Sequence, residues 1–214
     1  MEKHLKILIT ALIAVLSLMR QPCPAGEIHE AAGAGDIKKV QQFLKENPEL
    51  LNVGDMVQGQ LPLHRAAQGG SKEMTAFLIS RGASVHAKDR DGQTALHVAA
   101  SPAVGDLLIG RGADVTARDS YGRTPLHYAA YYGRDKMVGY FLEKGGEING
   151  LDEEKNTPLM WALMNGHPET ALLLMAQGAA LNLRNAAGAS ALSIAKKKGY
   201  RTVVDELTKK NVTE

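Results

Sequence analysis

The sequence predicts a mainly α solenoid of stacked helix-turn-helix units, and three observations predict it. Leu63, Leu96, Leu126, Leu159 and Leu192 each open a helix rich in small residues, at spacings of 33, 30, 33 and 33 residues. They sit in versions of one phrase: Gln60-Leu61-Pro62-Leu63-His64-Arg65-Ala66-Ala67, Gln93-Thr94-Ala95-Leu96-His97-Val98-Ala99-Ala100 and Arg123-Thr124-Pro125-Leu126-His127-Tyr128-Ala129-Ala130, with looser copies at 156–162 and 189–195. A closing glycine followed by alanine then recurs at Gly82-Ala83, Gly112-Ala113 and Gly178-Ala179. A fixed period of this length marks a stack in which each unit buries its apolar face against its neighbours.

The first element stands apart from the repeats. Met1 to Lys6 is short and net basic, Ile7 to Met19 is apolar apart from Thr10 and Ser17, and Cys23-Pro24-Ala25-Gly26 offers small residues for cleavage. That is the layout of a secretory signal peptide, expected over residues 1–25. The 13-residue run would reach ~20 Å as a helix, short of the ~30 Å hydrocarbon layer, which disfavours a permanent span. Removing residues 1–25 takes Lys3, Lys6, Arg20 and Glu2, leaving 22 basic and 22 acidic residues from the original 25 and 23. The mature chain is then neutral, so the basic balance gives no support for a nucleic-acid or anionic-membrane partner. Cys23, the single cysteine, leaves as well, and a chain free of thiols suits an oxidising compartment.

Within a unit each residue type has a physical task. Asp119-Ser120-Tyr121-Gly122 is a turn cluster, Thr124 stands where a hydroxyl can cap a helix, and Pro125 fits the first helical position. Leu126, Ala129 and Ala130 form the inward stripe of a short first helix that Gly133 ends. A second helix is expected from about Arg134 to Lys144, burying Met137, Val138, Phe141 and Leu142 at three-and-four spacing. Short β-like stretches lead onward: Val85-His86-Ala87, Val115-Thr116-Ala117, Ile148-Asn149-Gly150 and Leu181-Asn182-Leu183.

Phrase, period and Gly-Ala step together resemble the ankyrin repeat, over nearly everything after residue 27. The resemblance implies one domain at 26–214, with units near 27–57, 58–90, 91–120, 121–153, 154–186 and 187–214. It also implies β-hairpins that project sideways from the helix pairs. The first unit, with Lys38, Lys39, Lys45 and Glu46, and the last, with Lys196, Lys197, Lys198, Asp205, Glu206, Lys209 and Lys210, carry the charge of solvated end caps. One unit is irregular: 16 steps separate Leu96 from Gly112 where the neighbouring units have 19. Ser101-Pro102 can begin its second helix as cap and first residue. Whether the shortening shapes a binding face or is a tolerated loop change stays open at this point.

The chain offers little for catalysis. His29, His64, His97 and His127 recur with the repeat, which places the rings ~8–10 Å apart along a stack, too far to share a zinc ion that needs ligands at ~2.0–2.1 Å. The resemblance instead implies that this histidine bonds the neighbouring hairpin backbone. His29-Glu30 opens like a zinc-protease motif, but Gly33 stands in the place of its second histidine. No Gly-x-Ser-x-Gly elbow, Walker loop or dinucleotide turn occurs in strand-to-helix context. No metal or cofactor is expected. Asn211-Val212-Thr213 reads as a coincidental glycosylation triplet.

The remaining signal is where the aromatics lie. Five of the six tyrosines and the one tryptophan fall between residues 121 and 161, and binding hot spots favour Tyr, Trp and Arg. The contact positions that the resemblance implies are Ser120, Tyr121, Arg123, Tyr131 and Tyr132 in one unit, and Glu153, Glu154, Asn156, Met164 and Asn165 in the next. Arg90, Asp91, Gln93 and Gln68 come from the units before. Protein binding is therefore expected of Arg90, Gln93, Tyr121, Arg123, Tyr131, Tyr132, Trp161, Met164 and Asn165; Tyr128, Tyr140 and Trp161 could equally serve packing alone. The expected protein is a non-enzymatic, monomeric, exported module, periplasmic or secreted, that binds another protein through the concave side of its middle units. An exported effector acting on a host protein is the alternative, and an enzyme with a surface site comes after it.

Overall fold

A computed structural model of the chain describes residues 24–210. The signal-peptide expectation falls almost wholly on residues outside that range, as does Asn211-Val212-Thr213. The helices come in pairs: α1 Pro24–Ala34 with α2 Ile37–Glu46, α3 Pro62–Gly69 with α4 Lys72–Ser80, and α5 Ala95–Val98 with α6 Pro102–Ile109. They continue as α7 Pro125–Tyr131 with α8 Asp135–Glu143, α9 Pro158–Met164 with α10 Pro168–Ala176, and α11 Ala191–Lys198 with α12 Arg201–Lys209. A 3-10 turn at Pro48–Asn52 follows α2. The odd-numbered helices pack in sequence as one row, and the even-numbered helices from α4 to α12 form a second. This is the helical solenoid that the period predicts.

One apolar core runs the length of the stack between the two rows. All five repeating leucines are buried in it, as are Ala66-Ala67 and Ala129-Ala130, whose small side chains let the odd helices approach closely. The tightest approach joins α1 and α3: a Cβ at Gly69 would fall on the carbonyl oxygen of Gly33. A second close contact joins α6 and α8. A Cβ at Gly105 would lie 2.5 Å from the Tyr140 ring, and that space lets the Tyr140 hydroxyl donate to Asp106 Oδ1 at 3.0 Å. Tyr140 is thus a packing residue.

The helix starts follow two rules. Asp36, Ser71 and Ser101 cap α2, α4 and α6 conventionally, each side chain accepting a backbone N–H from the first turn. Thr124 does not accept such a bond: Nδ1 of His127 takes the Thr124 N–H at 3.1 Å and lies 2.9 Å from its hydroxyl. Thr94 and His97 repeat this arrangement. Where the phrase carries Met160 in place of histidine, Thr157 reverts to a conventional cap and accepts from Met160 N–H.

The β-like stretches are turns. Ser84 Oγ and Asp114 Oδ1 accept the N–H two residues ahead, and Ala87 and Ala117 close back onto the carbonyls of Ser84 and Asp114. A short polar side chain thus offers the backbone a local partner in competition with extended pairing. The hairpins are correspondingly tight. Asp89, Asp119, Asp152 and Asn185 each donate their N–H to the carbonyl four residues on, and the only β-bridge among the described residues is Arg184 with Ser190. Single backbone bonds join each hairpin to the next: Arg90 to Gln58, Ser120 to Asp91, Glu153 to Tyr121 and Ala186 to Glu154.

In the shortened unit the missing residues are taken from the end of the first helix. α5 has four residues, and the chain leaves it extended at Ala99 before Ser101 caps α6. Arg134, from the following unit, reaches back and donates through Nη1 to the carbonyls of Val98 at 3.0 Å and Ala99 at 3.2 Å. Its guanidinium also lies 4.7 Å from the Tyr132 ring centroid. Burial lowers the Arg134 pKa from the usual arginine value.

Candidate functional site

The aromatic region is built on a rule that repeats with the units. In the hairpins of this region an aspartate folds the turn with one carboxylate oxygen: Asp119 Oδ1 accepts the N–H groups of Tyr121 and Arg123, and Asp152 Oδ1 accepts that of Asn156. The second oxygen receives a donor nine residues on, from the odd helix. Tyr128 donates its hydroxyl to Asp119 Oδ2 at 2.8 Å, and Trp161 its indole N–H to Asp152 Oδ2 at 2.8 Å. The shortened unit breaks the rule, since Val98 occupies that position and Asp89 Oδ2 has no partner. Burial accordingly pushes the Asp89 carboxyl above its usual pKa. At Asp119 burial acts in the same sense but is outweighed by the N–H groups of Arg123 and Tyr121, the Tyr128 hydroxyl and the Arg123 side chain, which hold it below the carboxylate range. Burial and the Asp119 carboxylate together raise the Tyr128 hydroxyl well above ordinary tyrosine.

Arg123 is the hub. Its Nε donates to Asp119 Oδ2 at 2.7 Å, and its guanidinium carbon lies 4.4, 5.0 and 5.9 Å from the ring centroids of Tyr121, Tyr128 and Trp161. Tyr131 meets Tyr132 edge-on at 4.8 Å and Trp161 at 5.6 Å. Tyr121, Tyr131 and Tyr132 are exposed while Tyr128 is buried, and Trp161 is half-buried. The rings and hairpins enclose a recess of about 190 Å³, lined by Gln58, Asp91, Gln93, Arg123, His127, Tyr128, Tyr131, Tyr132 and Trp161.

Five of the nine expected contact residues, Gln93, Arg123, Tyr131, Tyr132 and Trp161, line this recess. Tyr121 stacks on Arg123 at its edge. Arg90 lies elsewhere: its Nη1 donates to the carbonyls of Met56 and Val57, so it fastens the preceding hairpin. Met164 packs against the core, and the Asn165 carboxamide donates to the Trp161 carbonyl. The recess also takes in Gln58, one hairpin further back than expected; the inter-hairpin bond from Arg90 N–H to the Gln58 carbonyl puts it there.

The histidines are structural fasteners. Nε2 of His64 bonds the Gln93 carbonyl at 2.9 Å, that of His97 the Arg123 carbonyl at 3.2 Å, and that of His127 the carbonyls of Gly150 and Asn156 at 3.1 and 3.2 Å. Their Nδ1 atoms accept backbone N–H groups, which fixes the neutral Nε2–H tautomer. Burial lowers the pKa of His64, and brings His97 and His127 to about 4. His29 bonds the carbonyl of Val53 in the same way. Among the described residues no group of three or more His, Cys, Asp or Glu side chains is placed to hold a metal ion, and no helix is long and apolar enough to cross a membrane.

Comparison with known proteins gives a consistent result. A family model described as ankyrin repeats (3 copies) matches residues 28–119, 101–185 and 144–214. Similar proteins include a transient receptor potential cation channel subfamily A member 1 of Drosophila melanogaster, 28% identical over 89% of this chain and 17% of its own length. The B-cell lymphoma 3 protein homolog of Mus musculus is 34% identical over 70% of this chain and 35% of its own length. The probable 26S proteasome regulatory subunit p28 of Saccharomyces cerevisiae is 30% identical over 78% and 61% respectively. This chain thus spans only part of the length of each of these relatives.

Proposed function

Since this chain belongs to the ankyrin repeat family, whose repeats mark protein-protein interaction modules, we propose that it is a non-enzymatic binding module that holds a partner protein against the aromatic recess. The observation that carries this reading is the exposure of Tyr121, Tyr131 and Tyr132 around one recess floored by Arg123 and Trp161. Exposed aromatics clustered beside an arginine are the composition of a binding hot spot. Neither Tyr131 nor Tyr132 belongs to the buried core. His127, which lines the recess, spends both ring nitrogens on bonds within the stack.

The double substitution Tyr131→Ala and Tyr132→Ala is expected to weaken partner binding at least ~10-fold while leaving the helical circular-dichroism spectrum unchanged. A photo-crosslinker at position 131 identifies the partner, whose affinity for both proteins is then measured in purified form. Unchanged affinity in the folded variant rejects this surface. Export is the second half of the proposal, supported by the basic start, apolar run and small residues of 1–25. Intact-mass measurement of the protein recovered from its source is expected to show that segment removed, and a retained Met1–Ala25 contradicts it.

A further inference from the structure

We propose that the recess admits a lysine side chain of the partner, and that its ammonium group pairs with Asp89 behind the recess wall. This rests on the recess being the partner-binding face and names the group that the face reads.

Among the described residues two buried side-chain atoms lack a hydrogen-bond partner, Asp89 Oδ2 and Gln60 Oε1. Both are acceptors, and the repeat assigns them to one joint. Gln60 and Asn156 each close a hairpin, their carbonyls accepting the N–H groups of Asp55 and Asp152, and Asp89 and Asn185 open the hairpins that follow. At the later joint Asn185 Nδ2 donates to Asn156 Oδ1 at 2.9 Å. Asp89 has no side-chain N–H to give, so the earlier joint presents oxygen from both sides. The two hairpins after Asp89 show what an aspartate here ordinarily receives. Asp119 Oδ2 takes the Tyr128 hydroxyl and Arg123 Nε, and Asp152 Oδ2 takes the Trp161 indole and Asn156 Nδ2. The same positions around Asp89 are held by Val98, which has no donor, and by Gln93, which bonds through its backbone alone.

Asp89 is close to the recess. Its Oδ1 accepts the N–H groups of Asp91 and Gln93 at 3.0 and 2.9 Å, and both of those residues line the recess. The carboxylate therefore lies directly behind that wall, and the Gln93 side chain turns aside without losing a bond.

Charge and geometry select the occupant. Arg123 is the positive group on the lining, and Asp119 matches it at 2.7 Å. Arg90, between the two aspartates in sequence, gives its guanidinium to the carbonyls of Met56 and Val57. Asp89 and Asp91 have no ion pair among the described residues, so the excess charge is negative. An arginine fork needs both carboxylate oxygens, and Asp89 Oδ1 is already committed to two N–H groups. A lysine ammonium carries three donors on one atom and serves single oxygens from different residues. Tyr131, exposed on the lining, offers its ring to the methylene stem and to the charge that follows it.

N-acetyl-lysine amide titrated into the isotope-labelled full chain tests this by nuclear magnetic resonance, with the Asp91 and Gln93 amides and the Trp161 indole as reporters. The lysine probe is expected to shift them saturably, and the norleucine, arginine and glutamate amides to bind at least about tenfold more weakly. Asp89→Asn keeps the acceptor that folds the hairpin and gives Gln60 the N–H that Asn185 gives Asn156. It is expected to weaken the lysine probe at least about tenfold, with a urea midpoint equal to or above that of the unaltered chain. Lys38→Ala, in the first unit, is expected to leave binding unchanged. The proposal is overturned if the lysine probe gives no saturable shift, if the arginine or glutamate amide binds as tightly, or if Asp89→Asn binds the probe undiminished. A lowered midpoint in Asp89→Asn also overturns it, since the carboxylate is then matched within the chain. If the crosslinked partner depends on Tyr131 and Tyr132 but binds Asp89→Asn unchanged, the interaction face stands and the ammonium class is wrong. If that partner ignores both tyrosines, the face fails and the lysine site falls with it.

Discussion

Acidification from pH 7 to pH 4 is expected to remove several kcal/mol of folding stability, with the loss beginning well above the pH at which the carboxylates titrate. His97 and His127 have folded pKa values of about 4 against an ordinary 6.5, because burial disfavours the charged ring and Nδ1 is committed to accepting an N–H. Above 6.5 both rings are neutral in folded and unfolded chains, and stability is fully present. Between 6.5 and about 4 the unfolded chain binds protons that the native chain does not, so stability falls with pH, by about 1.4 kcal/mol per pH unit for each ring. Each ring therefore loses roughly 3 kcal/mol across that window. His64 shifts in the same direction and adds to the effect. Urea denaturation at pH 7, 5.5 and 4.5 checks this: the midpoint should drop at each step, and more shallowly in a His97→Gln variant. A midpoint independent of pH down to 4.5 would remove the histidines from the energetics of the stack.

Replacing Arg134 with alanine is expected to cost about 2–4 kcal/mol, far more than an exposed arginine. Its Nη1 holds the carbonyls of Val98 and Ala99, which the abbreviated α5 leaves without further helix to satisfy them. Bonds from a charged donor contribute about 1.5–3 kcal/mol each, and a carbonyl left buried and unpaired adds its own desolvation cost. Arg111, exposed just after α6, gives the contrast: Arg111→Ala should change stability by under ~1 kcal/mol. Urea midpoints measured side by side distinguish the two. Equal small losses would show that water replaces the guanidinium and that the shortened unit stands without it. Arg134→Ala should also loosen Tyr132, which stacks on that guanidinium, so stability and the binding face are linked at this residue.

The features legible in the sequence are those with local causes. The helix pairs, the buried leucines and alanines and the Ser101-Pro102 start of α6 follow from residue type and period, and the histidine bonds to neighbouring hairpins from the family resemblance. What was not legible depends on partners far along the chain. Arg90 and Arg123 occupy comparable hairpins, yet Arg90 fastens Met56 and Val57, more than 30 residues back, while Arg123 turns into an aromatic cluster. Tyr128 and Trp161 looked alike in their ambiguity between packing and binding. The structure makes both of them donors to a hairpin aspartate, and leaves only Trp161 half open to the recess. The β-like stretches misled because Val85 and Val115 favour strands, whereas the turn is set by Ser84 and Asp114 just before them. Arg134 gave no sign at all, since its importance comes from three residues missing in a different unit.

The loss of histidine at Met160 has a mechanical consequence. The joints at His64, His97 and His127 are riveted by a ring that bonds the backbone of the unit ahead; the last joint has instead the side-chain pair Asn185 and Asn156, the Ala180 N–H on Asn149 Oδ1 and one backbone bond between Ala186 and Glu154. The seam between α9 and the final hairpin is therefore where a pull on the carboxyl end would first peel the array apart, one unit at a time, with the aromatic recess in the next segment to yield.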